Sequence, residues 1–287
     1  MEQQQVRKSV LFFVLACSLI IVFLLITLFQ SRQPQKTAVT KKTVENEAQT
    51  GNLSQPKQQS HFNIQARSEA STIQTKSEEY YQAIPQLSGL PSGEVLGLDQ
   101  ITVKIFENKE GYVKETGKPS WSEGFADYKN KEVFLIESEE LTTSVLPHEI
   151  SHLFFDSYMG YERNDFNWLD EGLATLVQVK YDPDQASSFN QSMADIRSGN
   201  FIALKDLRSF VLDKQTPAAK INLYYAETVS LTSYLTNDWQ RWKLLLENLK
   251  SKKGFNDSLK AAYNKNPASL QQNWLSYLKE NKQSWEK

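Results

Sequence analysis

Residues 144–180 read SVLPHEISHLFFDSYMGYERNDFNWLDEGLATLVQVK, and the fold turns on this stretch. Apolar side chains recur at helical spacing over 144–158 and again over 168–180. Gly160 and a polar loop through Asn164 to Asn167 separate the two runs. The pattern predicts two helices: the first ends at Gly160, and Asn167 or Asp165 caps the second. His148 and His152, four residues apart, project from one face about a turn apart, so their imidazoles can meet a single metal ion. Glu149 flanks that position, where a carboxylate can take a proton from water activated by the metal. A catalytic zinc site normally has three protein ligands. Glu171, with 18 residues between it and His152, can supply the third from the first turn of the second helix. Gly172 beside it lacks a side chain and would let the two helices pack closely. A pair of surface histidines and a solvated glutamate favoured by the helix dipole are the plainer alternatives, and they lose weight once both segments are read together.

Working outward, the segments near 185–197, 223–236, 239–251, 256–264 and 268–280 show the same helical spacing. Asp182-Pro183, Gly199, Pro217, Gly254 and Pro267 divide them. Upstream the pattern changes: Ile101, Val103 and Ile105 alternate as in a strand, and Val133 to Ile136 is an apolar run suited to a strand covered on both faces. A small sheet followed by a helical body is an α+β arrangement.

The amino-terminal part reads differently. Residues 9–29 form 21 positions without a charge, long enough to cross a bilayer as a helix, so 1–8 is read as a cytoplasmic tail and 9–29 as an uncleaved signal anchor containing Cys17. Arg7 and Lys8 precede the span while Arg32, Lys36, Lys41 and Lys42 follow it, a count that favours the reverse topology. Long domains nevertheless translocate largely regardless of charge, and a single-pass cell-membrane protein with an extracytoplasmic domain is expected. Between Gln30 and Lys76 only ten of 47 residues are apolar, too few to offset the entropy of ordering them, so 30–76 is read as a polar linker with His61 solvated inside it. The domain is then 77–287. With 32 basic and 34 acidic side chains the chain has no broad positive field for nucleic acid, and its single cysteine excludes an internal disulfide and a Cys-based zinc site.

The HExxH segment and Trp168-Leu169-Asp170-Glu171-Gly172 together resemble the gluzincin metallopeptidases and the peptidase MA-like families, over about residues 95–280. The resemblance implies a thermolysin-like α+β catalytic domain that hydrolyses peptide or protein substrates. It also implies Zn2+ on His148, His152 and Glu171, and Glu149 as general base. Relatives carry a tyrosine at the start of a later helix that stabilises the oxyanion, and Tyr225 in Tyr224-Tyr225-Ala226-Glu227 best matches it. In such folds the strand nearest the cleft pairs with an extended substrate, a role expected here of Glu132 to Ile136. The Gly-x-Met-Glu-Asn run of the aminopeptidase branch is missing upstream of His148, where Gly124-Phe125-Ala126-Asp127 comes nearest, so aminopeptidase activity is not expected. Asp170 is read as a helix carboxylate. Asp156, four residues beyond His152, is either a partner of a histidine or solvated. Asp182 and Asp184 around Pro183 are more simply a turn than a calcium site. A binding or assembly protein of the cell envelope, keeping this scaffold without turnover, is the alternative function.

Overall fold

The structure, a computed structural model, describes residues 60–160 and 166–281. The expected tail, the apolar span 9–29, the first thirty residues of the expected linker and Asp165 lie outside the described residues. Among the described residues no helix is long and apolar enough to cross a membrane.

The chain runs β1 (Phe62–Gln65), α1 (Ala70–Ser88), β2 (Ile101–Phe106), α2 (Lys109–Thr116), β3 (Gly124–Asp127) and β4 (Glu132–Ile136). A π-helical turn (Leu141–Val145) leads directly into α3 (Leu146–Met159), followed by α4 (Asn167–Tyr181), α5 (Pro183–Ser188), α6 (Asn190–Ser198) and α7 (Leu204–Leu207). Helices α8 (Ala218–Thr236), α9 (Trp239–Lys250), α10 (Phe255–Tyr263) and α11 (Pro267–Glu280) complete the body. This is a mixed α+β fold with a small sheet and a mainly helical carboxy-terminal part.

The sheet has the order β1-β2-β4-β3, with β1, β2 and β4 parallel and β3 antiparallel to β4. Ile101, Val103, Val133 and Leu135 are fully buried on one face, joined in the core by Ile150, Leu153 and Phe154 of α3. Burying such side chains is worth about 1.5–3 kcal/mol each, which fixes α3 against the strands. Strand β4 is paired on both sides, so its expected role as the substrate-pairing strand is corrected: the sheet's edges are β1 and β3, and β3 is the one directly paired with β4.

Two elements occupy sequence expected to be linker. Strand β1 pairs with β2 over four residues, and α1 begins at Ala70. In α1 the buried residues Ile73, Ser77, Tyr80, Tyr81, Ile84 and Ser88 recur at spacings of three and four; only Ile73 of them falls within 30–76, so the polar composition of that stretch hides the helix start while the stripe itself lies beyond it. His61 is correspondingly not solvated: its ring stacks on Tyr81 at 4.0 Å between centroids, and Nδ1 lies 2.8 Å from Glu78 Oε2.

Helix α3 ends as expected at Gly160, whose φ of 69° suits a residue without Cβ and whose N–H donates to Asp156 C=O at 2.8 Å. The start of α4 differs from expectation. Phe166 holds the N-cap position without a side-chain hydrogen bond and Asn167 is already helical, so Glu171 falls in the second turn and Asp170 in the first. Gly172 also has a different neighbour from the one expected. A Cβ there would fall 2.8 Å from the carbonyl carbon of Thr228, and closer still to its oxygen and to Thr232 Oγ1. The close approach it permits is between α4 and α8.

Candidate metal centre

The two helices meet where the ligand candidates lie. His148 Nε2 and His152 Nε2 are 3.1 Å apart, and Glu171 Oε2 stands 3.6 Å from the first and 3.7 Å from the second. Four tetrahedral donors about 2.0–2.1 Å from one zinc ion would be separated by about 3.3 Å, so the trio has the required size. His148, His152 and Glu171 form a cluster that could hold a metal ion.

What aims the imidazoles is the more informative part. His148 Nδ1 lies 3.0 Å from Gln178 Oε1, and Gln178 Nε2 donates to Ser144 Oγ at 2.7 Å. With the amide oxygen toward the ring, the tautomer that this contact favours for His148 is the one protonated on Nδ1. His152 Nδ1 lies 2.9 Å from Asp170 Oδ1, again an acceptor. Both rings thus turn Nδ1 toward an oxygen, His148 toward Gln178 and His152 toward the Asp170 carboxylate, and turn Nε2 toward each other and toward Glu171 Oε2, a buried oxygen with no hydrogen-bond partner among the described residues. Three converging acceptors without a donor form an arrangement that a cation stabilises. Without one, a proton does: burial alone would lower the pKa of His152, but the charges of Asp170, Glu171 and Glu149 hold it well above the ordinary value.

Sequence reasoning overlooks these partners. Asp170, expected to be no more than a helix carboxylate, orients His152. Asp156, offered for that role, lines the cleft without being the partner of either histidine Nδ1. Gln178 belongs to neither motif, and its place seven residues after Glu171, two turns along the same face of α4, is the one signal of it in the sequence. Asp182 caps α5 by accepting from Asp184 N–H and Gln185 N–H, each at 3.1 Å, which accounts for Asp182-Pro183-Asp184 as a helix start.

Glu149 points from α3 toward β3. A Cβ on Gly124 would come within 2.6 Å of Glu149 Cγ, so the glycine lets the strand pass directly over the carboxylate. Burial raises the Glu149 pKa, and the Glu171 charge raises it further against the opposing pull of His152 and His148. Across the cleft the Tyr225 ring packs edge-on to His148, with centroids 6.3 Å apart. Tyr224 stacks on Phe210, with centroids 5.3 Å apart. Burial pushes the Tyr225 hydroxyl well above its usual pKa, with Glu171 adding to the shift, so it stays a proton donor.

These groups line a cavity of about 690 Å³. One wall is β3 with the segment before it; Phe210 to Leu212, Tyr224 and Tyr225 belong to the other. Trp121 Nε1 donates to Asp213 C=O at 3.0 Å and ties the walls together. Ile136 N–H donates to Glu123 C=O at 3.1 Å, so in the antiparallel ladder residues 123, 125 and 127 bond to β4. Gly124 and Ala126 therefore direct their backbone groups to the free edge. The Gly124 carbonyl is already taken by the Tyr112 hydroxyl, leaving Gly124 N–H and both groups of Ala126 for a ligand.

A family model described as the peptidase MA superfamily matches residues 96–280. The chain belongs to the peptidase MA superfamily. No curated protein matches the sequence. The match covers β2 through α11, and so includes every residue of the metal-binding cluster, Glu149 and Tyr225. It identifies residues 96–280 as a peptidase-like domain whose His/His/Glu cluster is compatible with the HExxH arrangement.

Proposed function

We propose that the protein is a zinc metallopeptidase, held at the cell membrane by residues 9–29 with its catalytic domain outside the cytoplasm. The observation that carries the enzymatic reading is the convergence of His148 Nε2, His152 Nε2 and the buried Glu171 Oε2 on one point, each histidine having its Nδ1 turned toward an oxygen. Two nitrogens and one carboxylate oxygen with a fourth position left to solvent make the donor set of a catalytic zinc site. His148, His152 and Glu171 would hold the ion, and bound zinc supplies Lewis acidity for activating water and polarising a carbonyl.

The chain's own residues do the rest. Burial gives Glu149 a raised pKa, which makes it a better acceptor for the proton that water loses on attack and a donor of that proton to the leaving amine. Tyr225 brings a hydroxyl to the opposite side of His148, where it can hydrogen-bond the oxyanion as charge develops. Gly124 N–H and the Ala126 backbone offer an extended peptide the pairing that β4, covered on both sides, cannot. Asp170 and Gln178 keep the two histidines in their tautomers. The uncharged run of 21 residues supports the anchor, and the start of β1 at Phe62 would bring the end of the linker to about residue 59.

The test uses full-length protein in detergent. About one zinc per chain is expected, lost in His152→Ala. Glu149→Gln should keep the zinc while hydrolysis of a diverse peptide library falls by a factor of about 100 to 10,000. Equal zinc in wild type and His152→Ala would refute the site. Zinc-loaded wild type that cleaves no peptide would favour a binding protein on this scaffold.

A further inference from the structure

One side chain of the cleft serves none of these roles. Lys118, between α2 and β3, lines the same cavity as His148 and Glu149, and among the described lining residues it is the only lysine or arginine. Its Nζ stands 3.6 Å from the ring centroid of Phe125 on β3, and its ammonium has no hydrogen bond or ion pair among the described residues. We infer that Lys118 is the residue by which this cleft selects anionic peptides, its ammonium pairing with a carboxylate of the bound substrate. The inference rests on the peptidase reading and adds a substrate class to it.

The charges around Lys118 lead to this conclusion. Glu149, Glu171 and Asp127 are the carboxylates whose fields reach it. All three are engaged elsewhere. Glu149 and Glu171 face the metal position, and Asp127 accepts from Lys129 N–H, Asn130 N–H and Asn130 Nδ2 in the turn between β3 and β4. A dication at the trio would offset the charges of Glu149 and Glu171 and leave the ammonium with the field of Asp127 alone and no direct partner in a half-buried site. A lone cation there is costly, and a peptide carboxylate would both satisfy it and gain from the low local dielectric. Phe125 holds the ammonium by cation–π attraction, so little rotamer freedom remains to be lost on binding. Because Phe125 belongs to the strand with the free edge, a peptide paired along β3 passes within reach of Nζ. The shared chemistry is a carboxylate, which a peptide can present at its carboxy terminus or on a side chain.

The test compares one peptide library in three forms: free carboxy terminus without acidic residues, amidated with one glutamate, and amidated without charge. Zinc-loaded full-length wild type should favour one or both anionic forms about 10- to 100-fold in kcat/KM, chiefly through KM. Lys118→Met, which keeps the stem over Phe125, should abolish the preference, and Lys118→Arg should restore most of it. Preference for the first form alone assigns the carboxylate to the chain end, and for the second to a side chain. Equal treatment of all three forms by wild type, or a preference that survives Lys118→Met, overturns the inference. A parallel measurement of peptide affinity for zinc-loaded Glu149→Gln, with and without Lys118→Met, decides the same question without turnover. Loss of the peptidase reading is therefore distinguishable from loss of this one.

Discussion

Replacing Gly172 by alanine sets two effects of opposite sign against each other. In an exposed helix interior the change stabilises by about 1 kcal/mol, because alanine restricts the unfolded chain and favours the helix. Here the added Cβ would lie 2.8 Å from Thr228 carbonyl carbon, against an ordinary carbon–carbon contact of about 3.5–4.0 Å, so α4 and α8 must part by roughly 1 Å. Thr232 can rotate its hydroxyl aside, but the Thr228 carbonyl is helix backbone and cannot. Overpacking of this kind costs about 1–3 kcal/mol, leaving a net loss of up to about 2 kcal/mol and a Tm lower by up to about 8 °C, measured on full-length protein in EDTA. The same displacement separates Glu171 on α4 from Tyr225 on α8. Turnover of zinc-loaded protein should thus fall about 100-fold even where the variant is fully folded. A Tm equal to or above that of the wild type would show that helix propensity wins and that the contact yields without strain, which would refute the reasoning.

Tyr225→Phe should lower turnover about 100- to 1000-fold with KM little changed, while Tyr224→Phe, whose ring is stacked on Phe210, should be nearly silent; steady-state kinetics giving the larger loss to Tyr224→Phe would reverse the assignment. Glu227 is fully buried on α8, accepts from Ile202 N–H at 2.6 Å, and is pushed by burial up to about 8 from 4.5. A carboxyl whose pKa is raised in the folded state contributes stability below the unfolded pKa and loses it as pH rises through the folded one, so stability should decline between about pH 4.5 and 8 by on the order of 5 kcal/mol. Glu227→Gln should flatten that decline in urea unfolding at pH 5 and pH 9, and equal slopes for variant and wild type would exclude Glu227 as its source.

The parts of the structure that are legible in the sequence are those whose signal is local. The spacing of His148 and His152, the apolar stripes of α3, α4 and α8 to α11, and the runs of β2 and β4 need only their own periodicity to be read. What escapes such a reading depends on partners distant in the chain. Strand β1 is four residues long and is a strand because β2 pairs with it; β3 is equally short and carries a glycine because Glu149 lies beneath it. Asp170 and Gln178 look like ordinary helix residues until α4 is laid across α3. Gly172 announces a close approach, but to α8 rather than to the expected α3, since a missing side chain does not name its neighbour. The region 185–197 has the periodicity of one helix, yet Phe189 interrupts it and two short helices result.

The entry of the chain through β1 decides where a processing protease can cut without harm. Cleavage at any bond before Ser60 leaves every described hydrogen bond in place, including the link from Ile101 N–H to His61 C=O at 2.7 Å, and on the proposed reading of 9–29 as an anchor would separate the peptidase-like domain from it. Cleavage between Gln65 and Ala70 severs the outermost strand from α1, and losing that strand would bare the β2 edge beside Ile101 and Val103 to other chains. A shed form of this protein should therefore begin upstream of residue 60, and a fragment beginning at Ser77 should aggregate.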